Sequence, residues 1–251
     1  MPELPEVETV RKGLESRSIG FLINKIQVLK ERSISSLGGS KEFISKMEGM
    51  KVKKWERRGK YLIASVKKDK GDISLTNSAD SGWWGVHLRM TGQFQWFEES
   101  RIACPHTRVR FWNKQGQELR FVDTRNFGEM WWVSSEESLP EKIKGLKKLG
   151  PEPFSETFST LFLIEKLKEK KSSIKSALLD QSIFAGTGNI YADESLFAAG
   201  IMPTKECRKL EPSQIDKLRR SLIKVLKESI GEGGTTFKDF RDIEGVNGNY
   251  G

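Results

Sequence analysis

The sequence has little of what a metal centre or a disulfide framework needs. Its 251 residues include two cysteines, Cys104 and Cys207, and two histidines, His87 and His106. Two distant cysteines build neither a disulfide framework nor a cysteine zinc site, and two histidines exclude a histidine-rich metal site. Catalysis, if the chain has it, therefore rests on amines, carboxylates and arginines.

Long apolar runs are also missing. The N-terminus has no apolar signal segment, and no run is long enough to cross a bilayer, which predicts a cytoplasmic location. Lysine and arginine number 43 against 34 acidic residues, a net charge of +9. The basic excess predicts a polyanionic partner, nucleic acid before a membrane surface; the alternative is a merely lysine-rich protein.

The chain begins Met1-Pro2-Glu3-Leu4-Pro5-Glu6-Val7-Glu8. Removal of Met1 would make the nitrogen of Pro2 a free secondary amine. An α-amine titrates near ~8, so much of it is neutral and nucleophilic at pH 7, and it can condense with a sugar aldehyde to an iminium. Glu3 is a candidate proton donor. The alternative interpretation is an ordinary amphipathic helix over residues 6–14, which would also fix the chain end in place.

Apolar alternation predicts a mostly β N-terminal half. Strands are expected at residues 23–31, at 51–67 as a strand pair or one bent strand, and from 86 to 133. A short helix near 43–47 and a polar loop at 68–82 interrupt them. Gly116 predicts a hairpin, since it can take positive φ. Short antiparallel strands of this kind favour a sandwich.

The composition changes near residues 135–152, beyond which the apolar spacing is helical. Helices are predicted at 161–167, 174–179, 189–199 and 212–230. Asn189 would cap the third, and Gly200 would follow its end. The expected fold class is α+β in two domains: a catalytic β-sandwich with an N-terminal helix at 1–134, a linker at 135–152 and an all-α domain at 153–251.

The turn Gly186-Thr187-Gly188-Asn189 joins two predicted helices. It is expected to leave unpaired N–H groups of a helix N-terminus pointing outward, where they bind phosphate well. Lysines at 166–175 lie near it and would clamp a nucleic-acid backbone. The alternatives are a plain helix–helix turn and a solvated lysine face.

Two short segments, Arg89-Met90-Thr91-Gly92 and Arg125-Asn126-Phe127-Gly128, carry side chains that suit a base-flipping protein. Such a protein must fill the space that the flipped base leaves, and apolar wedges and an arginine serve that purpose. The residue types alone favour core packing for Met90 and Phe127.

The ordered motifs resemble the bacterial formamidopyrimidine-DNA glycosylase family over essentially the whole chain. The matching segments, in chain order, are Pro2 to Glu8, Arg57 to Leu62, His87 to Gly92, His106-Thr107, Asp123 to Gly128, Leu149 to Pro153, Leu178 to Gln181, Gly186 to Glu194, and Gly233 to Thr236. Leu4 points to the oxidised-purine branch, because the sister endonuclease VIII group typically has glycine there.

The resemblance implies a base-excision-repair enzyme, a DNA glycosylase and AP lyase that removes 8-oxoguanine and formamidopyrimidines. Pro2 would attack C1′ and hold the sugar as a Schiff base, Glu3 would be the general acid, and Lys60 would assist β-elimination. The implied fold joins an antiparallel β-sandwich to a helix-two-turn-helix domain. Double-stranded DNA would lie in the cleft between them, bound by a monomer on the bacterial nucleoid.

The resemblance also implies roles for residues that hold the DNA and the base. Met90, Arg125 and Phe127 would fill the void left by the flipped base. The base pocket would include Glu6, Thr235 and Thr236. The DNA contacts would come from His106, Arg125, Lys170, Lys171, Lys175 and Asn189.

The sequence departs from the family pattern at its end, Asn249-Tyr250-Gly251. The typical member continues into a hairpin with four zinc-binding cysteines, so no zinc or other cofactor is expected in this chain. A fragment and a naturally shortened form both stay open, as does δ-elimination. Two further functions also stay open: a non-catalytic damaged-DNA-binding protein, and an oxidised-pyrimidine glycosylase of the endonuclease VIII type.

Overall fold

The computed structural model describes residues 1–69, 80–236 and 240–251. The strands are β1 (Lys25–Val28), β2 (Met50–Arg58), β3 (Tyr61–Lys68), β4 (Ser81–His87), β5 (Gly92–Phe97), β6 (Thr107–Trp112), β7 (Glu118–Asp123) and β8 (Glu129–Ser134). The helices are α1 (Leu4–Ser18), α2 (Gly39–Met47), α3 (Leu139–Lys142), α4 (Lys144–Lys147), α5 (Thr160–Leu167), α6 (Ile174–Leu179), α7 (Asn189–Ala199) and α8 (Pro212–Gly231).

The strands form two antiparallel four-stranded sheets, β1-β6-β7-β5 and β2-β3-β4-β8. Their inner faces pack on each other, as Trp84 of one sheet and Phe111 of the other show with ring centroids 4.5 Å apart. The predicted sandwich and the α+β class are confirmed. The predicted hairpin is also present, and Gly116 has the expected positive φ of 87°.

Some predicted boundaries were wrong. The strand expected at 23–31 covers only Lys25–Val28. The N–H groups of Leu29 and Lys30 both donate to the Arg108 carbonyl (2.8 and 3.3 Å), which ends the regular pairing with β6, and a 3-10 turn follows at Glu31–Ser33. Residues 51–67 are a strand pair, β2 and β3, with Gly59 at φ 54° in the turn between them. Of the loop expected at 68–82, residues 81–82 belong to β4, and 70–79 lie outside the described residues.

Helix α1 connects the two halves of the molecule. Val7, Val10 and Leu14 pack in the sandwich core, whereas Leu4 packs in the core of the C-terminal helices. The helix is longer than the predicted 6–14 and begins directly after Glu3. The start of the chain is therefore fixed where the sandwich meets the helices.

The C-terminal half is helical, as predicted. Helix α7 begins at Asn189 with Gly188 as its N-cap, so the expected capping by Asn189 is wrong; Gly200 ends it at φ 70°, as expected. Residues 135–152, predicted as the linker, contain α3 and α4, and Ile143 and Leu146 pack against the outer face of β2-β3-β4-β8. In the described part of the chain no helix is long and apolar enough to cross a membrane.

Candidate active site and DNA interface

The chain start lies in the wall of a cavity of about 420 Å³. Pro2 is buried and lines this cavity with Glu6, Met90, Arg125 and Thr235. The sandwich loops and the segment after α8 thus meet at the chain end. A larger groove of about 810 Å³ lies between α2, β8 and α4, and none of the N-terminal motif lines it.

Glu3 is 3% exposed and places its carboxylate at the N-terminus of α7. Its oxygens accept hydrogen bonds from the N–H groups of Gly188 (2.7 Å), Ile190 (3.0 Å) and Tyr191 (3.5 Å). The expectation that these N–H groups point outward for phosphate is therefore wrong. A helix N-terminus attracts a carboxylate as it does a phosphate, and the chain supplies its own.

Burial shifts the pKa values of Glu3 and Lys60 in opposite directions. Burial raises the pKa of the Glu3 carboxyl, against the lowering effect of the Lys60 ammonium. Burial also lowers the pKa of Lys60, although the charges of Glu3 and Glu6 oppose this. Lys60 is only 7% exposed, so the surface-lysine alternative is wrong. Opposed shifts of this kind suit a general acid beside a general base.

The turn that carries Lys60 is held by Glu152, a contact that the sequence did not reveal. The Glu152 carboxylate accepts from the Gly59 N–H (2.7 Å), from Arg57 Nη1 (2.7 Å) and from Arg58 Nη1 (2.8 Å). Because charge-assisted hydrogen bonds are strong, the turn has a defined position. The only available indication was the carboxylate's place in the stiff Gly150-Pro151-Glu152-Pro153 turn.

Glu6 is 2% exposed and fully engaged. It accepts hydrogen bonds from the Glu3 N–H (2.8 Å), the Tyr191 hydroxyl (2.5 Å) and the Thr235 N–H (2.8 Å). Tyr191 was not singled out from the sequence, which placed it only within the predicted helix at 189–199. Thr235 lines the cavity at Pro2. The hydroxyl of Thr236 instead donates to the Phe240 carbonyl (2.8 Å), and the described cavity lining does not include Thr236.

Met90 and Phe127 are each 39% exposed, so the core-packing interpretation is wrong for both. Arg89 before Met90 and Asn126 before Phe127 have positive φ angles of 55° and 58°. A residue in the left-handed region reverses the chain direction, and such non-glycine residues concentrate at functional sites. The Arg125 guanidinium lies 5.2 Å from the Phe127 ring centroid.

His106 is exposed and lies beside the Arg125 loop, because its carbonyl accepts a hydrogen bond from the Asp123 N–H (2.9 Å). The structure thus brings His106 and Arg125 to the same end of the β6-β7 pair. They come from the start of β6 and the end of β7, which an antiparallel hairpin places side by side.

The predicted clamp lysines surround the α6–α7 connection. Lys175 Nζ of α6 lies 2.8 Å from Asp193. Because Asp193 is one helical turn after Asn189, the Lys175 ammonium lies against the face of α7 that carries Asn189. Lys170 Nζ lies 3.4 Å from Asp180. Lys171 is exposed. These side chains form a basic surface on the helical half.

The described residues contain no group of three or more His, Cys, Asp or Glu side chains that could hold a metal ion. Cys104 is exposed before β6, whereas Cys207 is buried among the C-terminal helices. These residues do not fit the zinc ion that the family resemblance implies.

The fold, the cavity at the chain start and the motif order define the class of protein: a DNA glycosylase of base-excision repair. The family model described as formamidopyrimidine-DNA glycosylase N-terminal domain matches residues 1–130, and the one described as formamidopyrimidine-DNA glycosylase H2TH domain matches residues 149–241. The chain therefore belongs to the formamidopyrimidine-DNA glycosylase family.

Curated relatives carry the same family name. A formamidopyrimidine-DNA glycosylase of Prochlorococcus marinus is 62% identical over all of this chain and 87% of its own length. One from Acaryochloris marina is 51% identical, again over all of this chain and 86% of its own.

Solved structures of the Lactococcus lactis enzyme share the fold. A complex with DNA that contains an abasic site matches with a TM-score of 0.84 at 34% identity, over 98% of this chain and 84% of that one. A complex with DNA that contains an oxidised pyrimidine matches with a TM-score of 0.84 at 34% identity, over 99% and 85%. A variant of the same enzyme bound to DNA with a formamidopyrimidine lesion also matches with a TM-score of 0.84 at 34% identity, over 98% of this chain and 84% of that one.

Proposed function

We propose that this chain excises oxidised purines, 8-oxoguanine and formamidopyrimidines, from double-stranded DNA and then cleaves the strand as an AP lyase. The observation that carries the proposal is the buried Pro2 in the wall of a cavity whose other walls come from both halves of the molecule. An amine at that place can reach the sugar of a nucleotide that has left the helix.

The first step is displacement of the base. Once Met1 is removed, the neutral Pro2 nitrogen bonds to C1′, and the glycosidic bond breaks with its electron pair leaving on the base. Glu3 donates the proton that this step requires. Its raised pKa keeps the carboxyl protonated to higher pH than an ordinary glutamic acid, which suits a general acid.

The second step is strand cleavage. The sugar-bound nitrogen loses its proton, the C1′–O4′ bond breaks, and O4′ leaves as a hydroxyl that takes up a proton. The nitrogen lone pair then forms an iminium with C1′, which draws electrons and acidifies the hydrogens on C2′. Lys60 in its neutral form takes a C2′ proton, and the C3′–O bond breaks with the phosphate as leaving group. The lowered pKa of Lys60 makes the neutral amine accessible nearer to neutral pH. No step uses a cofactor.

The remaining site residues hold the DNA in our proposal. Met90, Arg125 and Phe127 fill the space that the extruded base leaves, and Glu6 with Thr235 borders the base pocket. His106, Arg125, Lys170, Lys171, Lys175 and Asn189 contact the backbone. The chain acts as a monomer on DNA of the bacterial nucleoid in the cytoplasm.

Borohydride trapping on a duplex with 8-oxoguanine opposite cytosine tests the proposal. Mass spectrometry of the N-terminus comes first, because a retained Met1 blocks the amine. Protein that starts at Pro2 is expected to form a covalent adduct, and Pro2→Gly is expected to lower trapping by at least about 100-fold. Lesion binding without any trapping by the protein that starts at Pro2 would instead support the non-catalytic alternative.

The same assay separates the two glycosylase alternatives. Duplexes with an oxidised purine and with an oxidised pyrimidine are compared at equal enzyme concentration under single turnover. Faster excision of the oxidised purine is expected. Faster excision of the oxidised pyrimidine would overturn the substrate assignment while leaving the Pro2 chemistry intact.

A further inference from the structure

The three exposed side chains Met90, Arg125 and Phe127 lie on two loops, residues 88–91 between β4 and β5 and residues 124–128 between β7 and β8. A flipped base must be replaced at once by a group that fills the stack. If the loops were loose, ordering them would subtract from the binding energy that drives extrusion. The structure shows what holds them.

Asp123 ends β7 and is 0% exposed. Its Oδ1 accepts hydrogen bonds from the Thr91 hydroxyl and from the Arg125 N–H (3.2 Å), and its Oδ2 accepts one from the Gly128 N–H (2.7 Å). Thr91 Oγ1 also accepts a hydrogen bond from the Arg125 N–H (3.1 Å). One buried carboxylate and one hydroxyl therefore join the loop after Met90 to the loop that carries Arg125 and Phe127.

A second tie joins the outer ends of the same loops. Arg89 Nε donates to Glu129 Oε2 (2.6 Å), and the Arg89 N–H donates to Nδ1 of His87 (3.0 Å). Burial lowers the pKa of His87 to about 3, so its ring stays a neutral acceptor at physiological pH. The backbone before Met90 is therefore held from both sides.

The side-chain partners of Asp123 among the described residues are informative. All three, Thr91, Arg125 and Gly128, lie in the two loops and none in the sandwich core. A carboxylate that only closed the end of a strand would not need to reach the other loop. Burying it is costly unless its hydrogen bonds are satisfied, and here the loops satisfy them.

We propose that Asp123 and Thr91 are positioning residues for base extrusion, a role that rests on the proposed glycosylase function. Asp123 is fully buried, and Thr91, which also lines the cavity at Pro2, uses its hydroxyl on Asp123 and on the Arg125 N–H. They hold Met90, Arg125 and Phe127 in place before DNA binds, so that the void is filled as the lesion leaves the helix. Excision from an intact duplex then depends on this pair, whereas attack on a site with no base to extrude does not.

The matched variants Thr91→Val and Thr91→Ser test the role. Valine keeps the shape of the side chain and removes the hydroxyl, while serine keeps the hydroxyl. Under single turnover on the 8-oxoguanine·cytosine duplex, Thr91→Val is expected to be about tenfold slower, the worth of a hydrogen bond of ordinary strength. Thr91→Ser is expected to recover most of the rate. Asp123→Asn should resemble Thr91→Val, because it loses an acceptor.

Two further readouts separate positioning from a merely structural effect. Trapping on a duplex that already contains an abasic site should stay within about twofold of the parent protein in Thr91→Val, because no base must be extruded. The fluorescence rise of a 2-aminopurine next to the lesion, which reports unstacking, should become slower in Thr91→Val and recover in Thr91→Ser.

Three results would overturn the inference: parental excision by Thr91→Val, an equal loss in Thr91→Ser, or an equal loss on lesion and abasic duplexes. If the parent protein formed no covalent adduct with the abasic duplex, the proposed function itself would be contradicted. The fluorescence measurement on lesion binding would then still decide whether Thr91 controls the wedge.

Discussion

Glu3 has two duties that depend on the same burial. Its carboxylate closes the N-terminus of α7 through Gly188 and Ile190, and it directly follows Pro2, the proposed nucleophile. Hydrogen bonds and the Lys60 charge favour the ionised form, yet desolvation outweighs them and raises the pKa. A raised pKa suits the role of general acid that we propose for Glu3.

The raised pKa of Glu3 gives a prediction for stability against pH. A folded-state pKa above the unfolded value means that the stabilisation is fully present below the unfolded pKa, near 4.5, and is lost as pH rises through the folded pKa. Glu3→Gln cannot ionise. The difference in unfolding free energy, variant minus parent, should therefore increase as the pH rises above about 4.5 in urea titrations. A difference in unfolding free energy that does not change with pH would contradict the raised pKa of Glu3.

Lys60 is expected to act through its neutral amine rather than its charge. Lys60→Gln and Lys60→Arg are therefore both expected to slow β-elimination by about 100-fold or more, because arginine keeps the charge but does not release its proton. Gel analysis of strand cleavage from a preformed abasic site measures the step, and borohydride trapping shows that Schiff-base formation survives. Full cleavage by Lys60→Arg would show that charge alone suffices.

At the scale of elements, the contact between α7 and the segment before α1 decides where the chemistry lies. Gly188 has an ordinary extended backbone, so its lack of a side chain serves the approach of Glu3 rather than a special φ. A Cβ at this position would lie 2.5 Å from the Glu3 carboxyl carbon. The glycine turn thus accommodates the carboxylate of Glu3, the proposed general acid.

Gly188→Ala is accordingly expected to displace Glu3 from the helix end. Base excision should fall by about 100-fold, the typical worth of a general acid, while the unfolding free energy falls by about 1–3 kcal/mol from crowding. Single-turnover excision and urea unfolding measure the two effects. Gly231→Ala in α8 is the matched control, since its Cβ would meet nothing within 4 Å. This variant should lower neither the excision rate nor the unfolding free energy. Unchanged excision in Gly188→Ala would refute the link.

At the scale of the whole molecule, two separate cores meet along α1, and the cavity lies where they meet. The net charge of +9 favours a polyanion in general, but its distribution decides how DNA sits. The basic side chains around α6 and α7 and the His106–Arg125 end of the sandwich flank the same junction. DNA held by both halves would present its backbone to Pro2.

Lys171 should contribute to this clamp and Lys114 should not. Lys114 follows β6 at the end opposite His106, and both lysines are exposed. The slope of log binding constant against log salt should decrease by about 1 in Lys171→Ala and stay unchanged in Lys114→Ala, although the two variants have equal net charge. Fluorescence anisotropy with a lesion duplex between 50 and 200 mM salt measures it. If the two variants had equal slopes, the effect of Lys171 on DNA binding would come from net charge alone.

Much of the architecture was predictable because periodicity is local. Alternation predicted the strands, helical spacing predicted α5 to α8, and Gly200 was correctly expected at the end of α7. The failures share one cause. Asn189 was expected to cap α7, and residue type alone favoured the core for Met90 and Phe127, although the family resemblance gave them a void-filling role. Residue type does not say which distant group lies next to a side chain.

The amino-acid sequence by itself determined the fold class, the basic charge, the family resemblance and the candidate amine at Pro2, since each depends on residue types and their order. Only the tertiary structure decided that Glu3, and not a phosphate, occupies the start of α7, that Lys60 is buried, and that Asp123 joins the two wedge loops. Desolvation and hydrogen bonding between distant segments set these properties, and both arise only when the chain has folded.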